Sequence, residues 1–270
     1  MIIAQITDTH IVPEGQSWLN TPETEVDKRL KLVVERLNTL APKPDVVLLT
    51  GDTVETPTKE SYQQVKAILK DLSLPFYVIP GNHDGREEMR AAFVEKDYMP
   101  SESFIHYVVN DYPVRMIALD TNVPGEDYGL LCKDRLKWLE DQLRQETHKP
   151  TLLFMHHFPM KVGQKAFDQM VCKTEGDFEK LVLSFPNIIG MVAGHYHKTC
   201  VSSIGGKTCF VAPSVAPSHY FASYHDEHVT AIDIAYPSLA LHRWEEGFKM
   251  VSEVVQVVRS KERLPFKKTG

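Results

Sequence analysis

Two hundred and seventy residues suffice for one or two domains at the usual ~150 residues each. With 43% hydrophobic and 24% charged residues, the chain can bury a core unaided, which excludes a disordered chain, a collagen-like fibre and a disulfide scaffold. Thirty basic against 36 acidic residues leave a net charge of -6, the wrong sign for a chain that mainly grips long nucleic acid.

Residues 1–7 read as a short apolar strand without the basic lead of a signal peptide, and no apolar run approaches the ~18 residues of a spanning helix. A cytoplasmic protein with no membrane partner is therefore expected. Residues 26–40 carry apolar side chains at helical spacing, Pro42 and Pro44 stop that helix, and residues 45–50 form a second strand. A second helix over 59–72 and a third strand over 75–80 complete three strand–helix alternations, which argue for a parallel sheet with right-handed crossovers.

Beyond this, residues 104–110 and 114–120 read as a hairpin, and 134–146 as an amphipathic helix. Strands follow over 151–155 and 188–193, with a helix near 177–185 between them, and 199–244 reads as several antiparallel strands. Four long segments lack a pattern: 11–23, 85–103, 158–176 and 213–228. Long loops in compact domains are commonly functional. The basic stretch 259–270 is expected to be a solvated tail. Cys132, Cys172, Cys200 and Cys209 show no CxxC spacing. Gly205-Gly206 is a two-residue hairpin turn whose register sets Cys200 opposite Val211 and Cys209 opposite Ser202, so reduced thiols are expected.

Polar residues able to hold metal recur just after the strands. They are Asp8-Thr9-His10, Gly51-Asp52, Gly81-Asn82-His83-Asp84, His156-His157 and Gly194-His195-Tyr196-His197. Parallel strands end on one edge, where open α/β sheets place their sites. Each block alone is weak, whereas five in order, each following an apolar strand, are not accidental. The donors are nitrogen and oxygen only, which suits Mn, Fe, Co or Zn. Seven or eight donors exceed one tetrahedral ion and suit two ions about 3.5 Å apart that share a carboxylate. Such pairs generate hydroxide from water near neutral pH and clamp phosphoryl oxygens, so the pattern points to phosphate ester hydrolysis.

The ordered blocks resemble the calcineurin-like metallophosphoesterase superfamily. Within it, the texts FMHHFP and VAGHYH are most similar to the bacterial class III cyclic nucleotide phosphodiesterases and related glycerophosphodiesterases. The resemblance implies a single domain over 1–270 with a four-layer α/β/β/α sandwich around two central mixed sheets, residues 199–270 completing it. It also implies that Asp8, His10 and His197 hold one divalent ion, that Asn82, His156 and His195 hold the other, and that Asp52 bridges them. His157 stands open as a substitute for His156. His83 is implied to contact the phosphate and protonate the leaving alkoxide, with Asn82 and Asp52 also catalytic. The expected reaction is attack of metal-bound hydroxide on a small phosphodiester, either a 3',5'-cyclic nucleotide or a glycerophosphodiester. A phosphomonoesterase and a non-catalytic scaffold are the alternatives. Phe158-Pro159 departs from the family's double proline, and the Asp-Arg-Gly continuation of the protein phosphatases is absent after Gly51-Asp52.

Substrate choice falls to the loops. Trp18 and Asn20 follow His10 closely, and Trp18 is a candidate either for stacking on a nucleobase or for packing. His219, in an aromatic and His-rich stretch, is a third candidate for substrate contact. The 85–103 segment and the C-terminal strands are candidate contacts for a homo-oligomer.

Overall fold

Apolar strands and amphipathic helices alternate through the first third of the chain in the computed structural model, which describes residues 1–247 and 250–258. Strand β1 (Ile2–Ile6), helix α1 (Val26–Thr39), β2 (Val46–Thr50), α2 (Lys59–Leu69), β3 (Phe76–Ile79) and α3 (Arg86–Ala92) follow one another. Helix α1 buries Val26, Leu30, Val33, Val34 and Leu37, one stripe at helical period. Helix α2 opens on Thr58, whose side chain accepts the Ser61 N–H. As expected, β1, β2 and β3 are parallel neighbours. Helix α3 falls within the 85–103 stretch, where no element is expected from the pattern. It spans only seven residues and buries Met89 as its one apolar side chain, too little for a periodic signal.

The chain continues through β4 (Tyr107–Val109), β5 (Arg115–Leu119), β6 (Leu130–Leu131), α4 (Lys133–Gln145) and β7 (Thr151–Met155). Then come α5 (Lys165–Asp168), β8 (Lys173–Thr174), α6 (Phe178–Ser184), β9 (Ile188–Ala193), β10 (Cys200–Ile204) and β11 (Lys207–Val211). The last strands described are β12 (Ser218–Tyr220), β13 (Ala231–Asp233), β14 (Ser238–Arg243) and β15 (Val251–Gln256). The expected solvated tail, 259–270, lies outside the described residues.

Two mixed sheets result, ordered β15-β14-β1-β2-β3 and β10-β11-β9-β7-β5-β4. The C-terminal strands are not one antiparallel group. Strand β11 pairs with β10 antiparallel but runs parallel to β9, and β14 joins the first sheet beside β1. The hairpin register holds, with Cys200 opposite Val211 and Ser202 opposite Cys209, and all four cysteines are unpaired.

Alternation along the second sheet explains the layering. Met116, Ala118, Leu152 and Phe154 join the core between the sheets, together with residues of β1 to β3 and α1 to α3. Their neighbours Ile117, Leu119, Leu153 and Met155 face the other way, onto Leu139, Leu143, Phe178 and Val182 of α4 and α6. Strands apolar on both faces are what a sheet covered on both sides requires. The result is the α/β/β/α sandwich that the resemblance implies. Between the sheets, Gln5 donates to Thr50 Oγ1 and the Ala193 carbonyl, and its Oε1 meets His242 Nε2, so this buried amide is fully bonded. Among the described residues, no helix is long and apolar enough to cross a membrane.

Candidate metal centre

Each of the five polar blocks follows the C-terminal end of a strand. Asp8 follows β1, Asp52 follows β2, Asn82 follows β3, His156 follows β7 and His195 follows β9. The backbone turns sharply there: Asp8, His10, Asp52, His195 and His197 all take positive φ, between 46° and 73°. Non-glycine residues in this region cost about 1–3 kcal/mol each and persist where the surroundings enforce them. The enforcement is visible. The N–H groups of Asp8, Thr9 and His10 donate to the carbonyls of Gly51 and Asp52, binding the two loops together. Gly51, at φ 90°, sits where a Cβ would come within 2.5 Å of His156 Nδ1, so the close approach of the loops requires glycine.

The side chains converge with their lone pairs inward. His10 Nδ1 lies 2.7 Å from Glu55 Oε2, and His197 Nδ1 lies 3.1 Å from the Pro217 carbonyl. Neither oxygen can donate, so both rings carry the proton on Nδ1 and present a bare Nε2. Those two Nε2 atoms are 3.1 Å apart. His156 has Nδ1 2.8 Å from the Thr50 carbonyl and Nε2 3.1 Å from Asn82 Oδ1 and 3.2 Å from Asp52 Oδ2. Asp52 Oδ2 is also 3.7 Å from His10 Nε2, so one carboxylate oxygen stands between the two sets. His197 Nε2 is 3.4 Å from Asp8 Oδ1, and the His195 N–H donates to Asp8 Oδ2 at 3.0 Å. His195 Nε2 is buried without a hydrogen-bond partner among the described residues.

Acceptors gathered face to face in a buried site repel one another unless cations lie among them. The residues present therefore fit two divalent ions. The charges balance among the side chains themselves: burial pulls the His156 imidazole down, but Asp52 outweighs that and raises it to about 9. Burial disfavours ionisation of Asp52, yet His156, His83 and His10 hold its carboxyl well below the usual range. Asp8 is likewise held low against its burial, chiefly by His197. Burial pushes the imidazoles of His10 and His195 down, towards the neutral form that ligates metal.

His157 is buried beside this set. Its Nδ1 is 2.8 Å from Thr121 Oγ1, and burial drives it down to about 3. His156 contacts both Asp52 and Asn82, whereas His157 groups with His156 and His195. His83 is half-buried, its N–H donating to Asp52 Oδ1 at 2.9 Å and its Nδ1 lying 3.0 Å from the Glu55 carbonyl. Burial pulls this imidazole down, but Asp52 and Glu55 outweigh that and raise it above its ordinary value.

A cleft of about 400 Å³ opens over these groups, lined by His10, Asp52, Asn82, His83, His195 and His197 together with Trp18 and His219. Trp18 stacks on His10 at 4.9 Å, and His219 stacks on His197 at 4.0 Å. Asn20 does not line this cleft. It is exposed and lines an adjoining cavity with Val12, Gln16 and Thr58, within a turn where Leu19 and Asn20 are both left-handed.

Two further carboxylates, in or just after these blocks, take their roles from the fold. Glu55 backs His10, and its position three residues after Asp52 is the only signal of it. Asp84 closes the Gly81-Asn82-His83-Asp84 block, accepting the N–H groups of Gly81 and Thr53 and the Tyr62 hydroxyl. Burial and then Asp52 raise its carboxyl to about 6.

Two helix-flanked sheets bringing acids and imidazoles to one edge define a metallophosphoesterase. The chain belongs to the calcineurin-like phosphoesterase family, whose pattern matches residues 1–199, and it is a hydrolase. The probable glycerophosphodiester phosphodiesterase of Arcobacter nitrofigilis is 33% identical over 268 residues, covering 98% of this chain and 97% of that one. The 3',5'-cyclic adenosine monophosphate phosphodiesterase of Escherichia coli is 26% identical over 215 residues, 78% of this chain and 75% of its own. A dimetal phosphatase from Danio rerio shares the fold with a TM-score of 0.67 and 16% identity over 96% of each chain.

Proposed function

We propose that this chain hydrolyses small phosphodiesters, glycerophosphodiesters foremost, at a centre of two divalent ions. Asp8, His10 and His197 hold one ion, Asn82, His156 and His195 the other, and Asp52 both. The observation that carries the reading is Asp52 Oδ2, set 3.2 Å from His156 Nε2 and 3.7 Å from His10 Nε2, between two groups of inward lone pairs. The donor chemistry suits Mn, Fe, Co or Zn. Bound there, such a pair supplies a nucleophile from water at neutral pH and positive charge for the phosphoryl oxygens.

The protein's own groups do the rest. Asp52 and Glu55 favour the protonated ring of His83. With Nδ1 engaged by the Glu55 carbonyl, Nε2 is the remaining site from which a proton reaches the departing alkoxide. Above the polar floor the cleft is walled by Leu19, Phe167, Met170, Val229 and Ile232, which suits the organic alcohol of a diester better than a second phosphate. Trp18 is already stacked on His10 and hydrogen-bonded to Glu55, so it is a wall and not a free platform for a nucleobase. That favours glycerophosphodiesters over cyclic nucleotides. The unpaired cysteines fit a cytoplasmic setting.

The test is hydrolysis of bis(p-nitrophenyl) phosphate beside p-nitrophenyl phosphate by Mn²⁺-loaded protein, followed by glycerophosphocholine beside cyclic AMP. Faster diester cleavage, abolished by chelator, is expected. Faster monoester cleavage would replace this reading with a phosphatase, and inactivity with every divalent metal would leave a binding scaffold.

A further inference from the structure

The side chain of Glu55 is a shared acceptor. Its Oε2 lies 2.7 Å from His10 Nδ1, 2.8 Å from Trp18 Nε1 and 3.4 Å from His83 Nδ1, while its backbone carbonyl lies 3.0 Å from that same His83 nitrogen. His10, Glu55 and His83 are near enough to hold an ion by themselves. The hydrogen bonding argues otherwise. Trp18 Nε1–H is a donor only, and its proton fills the space beside Oε2. His83 Nδ1 faces a carbonyl, which cannot donate, so this nitrogen too carries its proton. Three N–H groups thus point at one residue, and a cation there would meet hydrogen atoms instead of lone pairs.

We infer that Glu55 is a positioning residue that fixes His10 as a metal ligand and, through the same oxygen, fastens the Trp18 wall of the cleft to the metal centre. The inference rests on the two-ion reading above. The carboxylate holds the His10 proton on Nδ1, which leaves Nε2 as the ligating atom and sets the plane of the ring. Outer partners of this kind are commonly worth 10–100-fold in metal affinity. The tie to Trp18 adds a second consequence. The indole stacks on His10 at 4.9 Å and its backbone opens the short turn Trp18–Asn20, so loosening Glu55 frees ligand and cleft wall together. Backbone contacts keep Glu55 in place, since its N–H donates to the Ile11 carbonyl at 3.1 Å and Val54 bridges Ile11.

Calorimetric titration of metal-stripped protein with Mn²⁺ tests this, comparing wild type with Glu55→Gln and Glu55→Ala. Wild type should show two sites. In Glu55→Ala one of them should weaken about 10–100-fold with the other retained. Glu55→Gln, which keeps the shape and one acceptor oxygen, should fall between. The tryptophan emission change caused by Mn²⁺, assigned to Trp18 by its loss in Trp18→Phe, should shrink in both Glu55 variants. KM for bis(p-nitrophenyl) phosphate should rise along with the fall in kcat, because the cleft wall loosens. Variants with wild-type circular dichroism, unchanged Mn²⁺ isotherms and an unchanged emission response would overturn the role of Glu55 alone. A wild type that binds no Mn²⁺ would overturn the two-ion reading itself. Should Glu55→Ala not fold, Glu55→Gln carries the comparison.

Discussion

The Nε2 atoms of His10 and His197 lie 3.1 Å apart, each ring having already committed its Nδ1 proton to an oxygen that cannot donate. Two lone pairs held this close favour a cation and oppose its removal. Chelation should therefore lower the melting temperature, and Mn²⁺ should restore it. Linkage gives about 2.7 kcal/mol for a site held at a hundredfold excess over its dissociation constant. A melting temperature indifferent to chelator would count against metal at these residues.

His83 lies over the site without belonging to either donor set. Its replacement by alanine should lower turnover on bis(p-nitrophenyl) phosphate by about 10²–10⁴-fold, the usual worth of a positioned proton donor. Metal content, measured by elemental analysis, should stay at the wild-type ratio. Loss of metal in His83→Ala would move this residue from proton donor to ligand.

Asp84, despite sitting in the Gly81-Asn82-His83-Asp84 block, is built for structure. Asp84→Ala leaves the N–H groups of Gly81 and Thr53 and the Tyr62 hydroxyl without their acceptor in a buried site. Unmet groups cost about 1–3 kcal/mol each, so a loss of about 3 kcal/mol or more in urea unfolding is expected. Wild-type stability in Asp84→Ala would show that water replaces the carboxylate.

His106 should set part of the acid limit of stability. It is buried against Trp138, at 4.7 Å between ring centres, and accepts the Asp120 N–H at 2.9 Å. Burial drives its pKa down to about 4, against the pull of Asp120 and with a push from Arg135 and Arg86. The unfolded ring titrates near 6.5, so below that pH the unfolded chain takes up a proton that the folded one refuses. The contribution is complete above about pH 6.5 and lost by about pH 4, and amounts to about 3 kcal/mol. His106→Gln should flatten this limb when unfolding is compared at about pH 7 and about pH 4.5. An acid limb as steep as wild type would acquit His106.

Much of this architecture is legible in the chain because its signals are periodic or adjacent. The β1 to β3 strands are short, mostly apolar runs, interrupted in β1 only by Gln5, and each donor block follows its strand closely. What escaped the sequence depended on contacts between distant segments. Glu55 and Asp84 are unremarkable carboxylates until Trp18, His10, Thr53 and Tyr62 are folded against them. Nearness to His10 in the chain does not place Asn20 in the cleft, which it borders from an adjoining cavity. The return of β14 to pair beside β1 rests on partners far apart in the chain, which no local pattern encodes.

Asp8, Asp52 and Asn82 ride on one sheet of the sandwich, and His156, His195 and His197 on the other. The proposed centre would therefore act as a removable rivet between the two sheets, joining side chains such as His10 and His197 that are 187 positions apart. Cross-links that close loops of this length restrict the unfolded chain most. Withdrawing the ions should hasten unfolding as well as silence the enzyme, so a half-life in chelator becomes a direct reading of how firmly the two sheets are fastened.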